Sequence, residues 1–284
     1  MGRNGRGWGA ARHAGAPRRE GGGHGGEWLY GRRPVLEALR AGRRRFDELR
    51  VSATAREDCS EEELSEIAAL ARAAHVAPAP SDRKSLNDLL GPVNHQGVAL
   101  RCGPYPYAPL DELLAGGGDE DEGDDALLLI LDHVEDPQNL GSLIRSADAA
   151  GAVGVVIPED RAAAVTPAAV RASAGAAEHL PVARVVNVAR ALEEAKAAGF
   201  WITGLDFGPD ARDYDAIDYA GRVALVVGNE GRGVSRLVRD KCDFIATLPM
   251  AGYVASLNAA VAGAIAMFEV QRQRRAAQGG RERP

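Results

Sequence analysis

Three short stretches hold the residue types that could bind a ligand or act on one. Asp136-Pro137-Gln138-Asn139-Leu140-Gly141 is followed by Arg145, which puts an amide and a guanidinium close together in the chain. Gly228-Asn229-Glu230-Gly231-Arg232-Gly233 follows an apolar run, and its glycines let a backbone approach a ligand closely, or simply turn. Leu248-Pro249-Met250-Ala251-Gly252 leads to Ser256-Leu257-Asn258 at the head of the last apolar stretch. Taken alone, each has a plain structural explanation. Asn139 reads as the N-cap of a helix with a surface arginine, the glycine run as a turn, and Ser256 as an N-terminal helix residue. The glycine loop is not a dinucleotide fingerprint, because that motif needs a helix to start after the first strand of its unit, and this loop follows a late one. Cys59, Cys102 and Cys242 are scattered without a C-x-x-C pair, which argues against a zinc site or disulfide framework and fits a reducing, cytoplasmic setting. No metal is therefore expected.

The elements that must position these loops fall into two α/β units. In the first, Pro34 sits near a helix start, Val35, Leu36 and Leu39 share a face, and Gly42 closes the helix. A strand Phe46 to Val51 follows, then a helix opened by Ser60 and Glu63 at capping-box spacing. A strand near Val76, a helix around Leu86 to Leu90 and a strand Gly97 to Arg101 complete it. The spacing assigns 1–26 to a disordered Arg/Gly-rich tail, 27–103 to this small domain, and 104–125 to an extended Pro/Gly/acidic linker. The second domain spans 126–276, with 277–284 as a disordered tail. It opens with Leu127 to Leu131, a continuous apolar run suited to a central parallel strand. Further strands are expected at Val153 to Ile157, Trp201 to Leu205, Val223 to Val227 and Phe244 to Leu248. Helices are expected after Asn139, at Pro167 to Ala177, at Val188 to Ala198, and from Ala255 to about Arg274. Leu257, Val261, Ala264, Ile265 and Phe268 form the apolar stripe of that last helix. Alternating strands and helices argue for a mostly parallel sheet covered on both faces, with ligands at the carboxyl ends of its strands.

The formal net charge of −6 is unequally spread. Residues 1–45 carry eleven arginines against Glu20, Glu27 and Glu37, while acid is concentrated between Asp119 and Asp125. A phosphate-binding arm is compatible with an acidic protein on that distribution, and so is a solvated tail. From Leu248 to Phe268 no residue is charged, near the length that spans a bilayer, yet Pro249, Ser256, Asn258 and much Gly and Ala make a buried helix the better reading. The N-terminus lacks an apolar signal core, which argues against secretion. No membrane partner is expected.

Together, in this order and spacing, the three loops resemble the three motifs of the SpoU/TrmH (SPOUT) family of RNA ribose 2′-O-methyltransferases. The first motif is matched by Asp136, Pro137, Asn139, Gly141 and Arg145; the second by Gly228, Glu230, Gly231 and Gly233. The third is matched by Pro249, Met250, Gly252, Ser256, Leu257 and Asn258. Ala260 stands where the family often has serine, which removes a hydrogen bond but keeps a small side chain. Tyr30-Gly31, Pro34-Val35 and His95-Gln96-Gly97-Val98 resemble the RlmB-type branch, which modifies a guanosine in large-subunit (23S) rRNA.

The resemblance implies a C-terminal parallel-sheet α/β domain with a trefoil knot, preceded by a small L30e-like RNA-binding domain. It implies S-adenosylmethionine as cofactor, held by Gly228, Leu248, Leu257, Met250, Gly252 and Ser256. It further implies Arg145, Asn139, Glu230 and Asn258 as the catalytic set, rRNA as partner and a homodimer. A tRNA ribose methyltransferase of the same family and a non-catalytic RNA-binding assembly factor are the competing readings.

Overall fold

The computed structural model describes residues 26–52, 61–116, 125–253 and 256–279. The N-terminal unit runs through β1 (Glu27–Tyr30), α1 (Arg32–Ala41), β2 (Phe46–Ser52), α2 (Glu61–Ala73), β3 (Pro78–Ser81), α3 (Arg83–Leu90) and β4 (Val98–Cys102). Its sheet has the order β1-β4-β2-β3, with β2 and β3 parallel and the other pairs antiparallel. Helix α1 buries Val35, Leu36 and Leu39, and Gly42 ends it with φ at 61°. The strand expected near Val76 begins later, at Pro78. Val76 is instead drawn into the end of α2, where its N–H bonds Ala71 O beside His75 at φ 62°. Strand β1 was not anticipated, since four residues are too short to show a period. Ser60 of the expected capping pair lies outside the described residues.

The second unit begins with α4 (Leu110–Ala115) and β5 (Ala126–Asp132). It continues through α5 (Pro137–Ala149), β6 (Gly154–Pro158), α6 (Pro167–Ala172), β7 (Val182–Val185), α7 (Val188–Ala197), β8 (Trp201–Leu205) and β9 (Arg212–Asp213). The chain ends with β10 (Arg222–Gly228), α8 (Arg236–Arg239), β11 (Phe244–Thr247) and α9 (Ala259–Gly279). All seven strands run parallel, in the order β7-β6-β5-β10-β8-β11-β9. Strand β5 is buried throughout, and its alternation divides the core. Leu127, Leu129 and Leu131 face α5, α6 and α9, whereas Leu128 and Ile130 face α7 and α8. Each such leucine contributes about 1.5–3 kcal/mol by leaving water. Strand β8 is inserted between the consecutive strands β10 and β11, and after β11 the chain returns to lay α9 against α5 and β10.

Several sequence expectations are corrected here. The cap of α5 is Asp136, whose carboxylate accepts from Gln138 N at 2.9 Å, and Pro137 opens the helix. Asn139 lies inside the first turn, so its amide is free for other partners. The helix expected over Pro167–Ala177 stops at Ala172, because Ala174 and Gly175 take positive φ of 52° and 92°. Strand β7 was missed altogether. The last helix starts at Ala259, not Ala255, so Ser256 is a loop residue, and it runs to Gly279, beyond the expected end near Arg274. Its apolar stripe does not pack inward: Leu257, Val261, Ile265 and Phe268 are 40, 47, 36 and 46% exposed. The buried face is made of Ala259, Ala260, Gly263, Ala266, Met267 and Val270. The stretch 104–125, expected to be extended and hydrated, is packed in its described part. Tyr105 is buried with its hydroxyl donating to Ala177 O at 2.7 Å, and Leu113 of α4 is buried under the sheet face of Leu128.

The two units share one continuous core, sealed by a buried ion pair. Arg44 grips Glu178 through Nε at 3.0 Å and Nη2 at 2.7 Å, and its guanidinium lies over the Tyr105 ring. Burial is the largest single influence and opposes the Arg44 charge, but Glu178, Cys102 and Glu27 together outweigh it and the guanidinium is held above its usual value.

Candidate active site

Strands β5 and β10 are neighbours from which the chain departs in opposite directions, to β6 on one side and to β11, beyond β8, on the other. A crevice at the carboxyl ends of such strands is the natural ligand site of a parallel sheet. Two cross-links fix its walls. The buried Asp132 at the end of β5 accepts from Ser235 N at 2.6 Å, and Asn229 Nδ2 donates to His133 O at 2.9 Å. The loop after β10 is closed on itself: Asn229 and Gly233 exchange backbone hydrogen bonds, and Gly231 N donates to Asn229 Oδ1. Gly228 is where this loop folds back. A Cβ there would stand 2.2 Å from the Gly233 carbonyl carbon and 2.4 Å from Val234 N. No side chain fits.

The loops after β8, β10 and β11, with the approach to α9, enclose a cavity of about 350 Å³. Of the residues singled out from sequence, Gly228, Glu230, Leu248, Met250, Ser256 and Leu257 line it. Gly252 does not; it stands exposed, with nothing among the described residues within 4 Å of a Cβ built there. Leu205, Val227, Ala246 and Leu248 give the cavity apolar walls, while Asp206, Glu230 and Arg232 supply charge.

At the cavity's Glu230 side the three motifs meet. Asn139 Nδ2 donates to Glu230 Oε1 at 2.6 Å, and Asn258 Nδ2 donates to Asn139 Oδ1 at 2.9 Å. Asn258 Oδ1 in turn accepts from Ala260 N and Val261 N, capping α9. The Asn139 amide thus holds the glutamate of the second loop, and the Asn258 amide holds Asn139. Arg145 is not in this network. It sits further along α5 on the exposed face and makes no hydrogen bond or ion pair among the described residues.

Sequence reasoning missed the β8 side of the cavity. Asp206 accepts from Phe207 N at 2.8 Å and from Arg239 Nη1 at 3.0 Å, while Phe207 is largely exposed at the cavity wall. Burial pulls against the Arg239 charge, yet Asp206 and Asp210 hold the guanidinium above its usual value. The signal available was their place directly after a strand of the parallel sheet.

The donor set suits a nucleoside-bearing cationic ligand. Backbone groups of the two glycine-containing loops and apolar walls can take an adenine without charge, and the carboxylates can face a positive centre. Among the described residues no cluster of His, Cys, Asp or Glu could hold a metal ion, and no helix is long and apolar enough to cross a membrane.

Residues 126–268 match the SpoU rRNA Methylase family, and residues 28–108 match the RNA 2′-O ribose methyltransferase substrate binding domain. A Bacillus subtilis protein named for the TrmH tRNA/rRNA methyltransferase family, YacO, is 41% identical over 248 residues, covering 87% of this chain and 96% of its own. The AdoMet-bound rRNA methyltransferase of Sinorhizobium meliloti superposes with a TM-score of 0.71 at 27% identity, covering 87% of both chains. The SpoU methyltransferase AviRb of Streptomyces viridochromogenes, in complex with AdoMet, gives 0.71 at 29% identity, covering 89% of this chain and 91% of its own.

Proposed function

The chain belongs to the SpoU/TrmH family of S-adenosylmethionine-dependent RNA methyltransferases, and from that premise we propose that it methylates the ribose 2′-hydroxyl of a guanosine in large-subunit (23S) rRNA. The observation that carries the catalytic part is the direct bonding of Asn139 to both Glu230 and Asn258 at the cavity rim. The ribosomal substrate is supported by the substrate-binding domain at 28–108 and by the Sinorhizobium protein, described as an rRNA methyltransferase and matched across most of its length.

The cofactor supplies an electrophilic methyl group on a sulfonium centre. Gly228, Leu248 and Leu257 would hold it, with Met250 and Ser256 beside them; all five line the cavity. The chain's own task is to position a ribose hydroxyl in line with that methyl and to ease loss of its proton. A guanidinium is too basic to act as a neutral base. Arg145 therefore orients a substrate phosphate and stabilises negative charge growing on the attacking oxygen. Asn139, Glu230 and Asn258 set the rim against which the ribose lies. The exposed stripe of α9 supports a homodimer. It begins at Leu257, which also lines the cavity, so a partner subunit on the stripe abuts the site.

The test is transfer of labelled methyl groups to unmodified 23S rRNA and to tRNA, with 2′-O-methylation mapped by resistance to alkaline hydrolysis. A single protected rRNA guanosine, absent with Arg145→Ala while cofactor affinity is retained, is the expected result. Labelling of tRNA alone would move the substrate. Loss of cofactor binding in Arg145→Ala would overturn the role given to that arginine.

A further inference from the structure

One face of the N-terminal sheet carries side chains for which the catalytic reading has no task. Trp28 and Tyr30 flank buried Leu29 on β1, so both project from the face opposite the core. Arg50 of β2 lies over the Trp28 ring, 5.3 Å from its centroid, and Arg171 of α6 lies over Tyr30 at 5.5 Å. Arg101 of β4 stands in register with Trp28 and makes no hydrogen bond or ion pair among the described residues. All five side chains are partly exposed. Glu48 is the acidic member of the face and pairs with Arg50 at 2.7 Å, so three guanidiniums face one carboxylate.

Two aromatic rings at strand spacing, each layered with a guanidinium, form a pattern that suits nucleobases. A base stacks on an aromatic or guanidinium plane whatever its identity, and arginine N–H groups take the adjoining phosphates. The patch also leads to the site. Arg171 adjoins Ala172, against which Gly141 of α5 packs so closely that a Cβ on Gly141 would lie 2.4 Å from Ala172 Cβ. Helix α5 carries Asn139 and Arg145.

We propose that this face is a docking platform for unpaired nucleotides of the RNA substrate. Bases stack at Trp28–Arg50 and Tyr30–Arg171, and Arg101 holds a phosphate between them. The proposal rests on the RNA-methyltransferase reading for its choice of ligand. It adds which surface binds, and that single strands rather than duplex are taken.

The test is equilibrium binding of the full chain to a short fluorescein-labelled single-stranded oligoribonucleotide, and to the same sequence as a duplex. Trp28→Leu and Tyr30→Leu are each expected to weaken single-strand binding by about 5- to 150-fold. Trp28→Phe and Tyr30→Phe are expected to retain it, because the stacking plane survives. Arg101→Gln is expected to weaken binding and to lower the slope of log affinity against log salt by about 0.7. Calorimetric titration with S-adenosylmethionine on the same preparations reports an intact fold. Single-strand affinity unchanged in the Leu variants would overturn the platform. If those variants lose cofactor binding as well, Arg101→Gln decides, and an unchanged affinity and salt slope would overturn it. Methyl transfer is read separately: a wild-type chain that binds single strands through these residues but transfers no methyl group keeps the platform and loses the catalytic reading.

Discussion

The side-chain amide of Asn139 donates to Glu230 Oε1 at 2.6 Å across 91 positions of sequence. The same side chain accepts from Asn258, so a single amide joins the loops after β5 and β10 to the head of α9. An amide can do both, since it has a donor and an acceptor on one planar group. Asn139→Asp keeps the shape but sets a carboxylate against Glu230, and Asn139→Ala leaves both partners without it. We expect single-turnover methyl transfer to fall on the order of 100-fold in either variant, the cost of a misplaced reacting group. Asp should be the worse of the two. A variant that transfers at the wild-type rate would remove Asn139 from the catalytic set.

Gly228 gives a sharper separation between binding and chemistry. Its missing side chain lets Gly233 and Val234 close over it, with 2.2 Å to the Gly233 carbonyl carbon from a Cβ built there. Gly228→Ala must open the β10 loop, and the cavity wall moves with it. S-adenosylmethionine affinity measured by calorimetry should be lost, with secondary structure by circular dichroism unchanged. Retained affinity would mean the loop does not contact the cofactor.

His95 makes the stability of the N-terminal unit dependent on pH. Gly97 N donates to its Nδ1 at 3.0 Å, so the proton is on Nε2, which bonds Asn87 Oδ1 at 3.1 Å. Burial, and secondarily the charge of Arg83, hold its pKa below the usual 6.5. The unfolded chain then takes a proton that the folded chain refuses, so stability is full above the ordinary histidine value and is lost progressively as pH falls below 6.5 through the depressed folded value. Melting temperatures between about pH 7.5 and about pH 5.5 should fall more steeply for the wild type than for His95→Gln, which cannot titrate. Equal slopes would show that His95 contributes nothing.

The exposed stripe of α9 bears on assembly. Val261, Ile265 and Phe268 are too large and too apolar to be left in water as a row without cost. Ile265→Asp places a charge at the centre of the stripe without touching the buried Ala/Gly face. Light scattering coupled to gel filtration should report a dimer for the wild type and a monomer for this variant, with little change in melting temperature beyond the loss of assembly. A wild-type monomer would end the dimer reading.

Much of this protein was legible from local patterns. The run Leu127–Leu131 suited a buried strand and forms one, Gly42 suited a helix end and closes α1, and the three loops stood out through their joint resemblance to the motifs of one family. These are properties of adjacent residues, where backbone preference and period act directly. Contacts across the fold were not legible. Asn139 read as a cap because asparagine caps helices, but Asp136 three residues earlier took that role and released it to bridge Glu230 and Asn258. Asp206 and Phe207 joined the cavity only because β8 is inserted between β10 and β11. The sequence left the apolar stripe of α9 open between core and subunit interface; in the fold Gly263 and its neighbouring alanines turn inward, because Leu143 and Val227 leave no room for more. Hydropathy says how much a residue gains by leaving water, and only the surrounding packing decides whether there is space for it to do so.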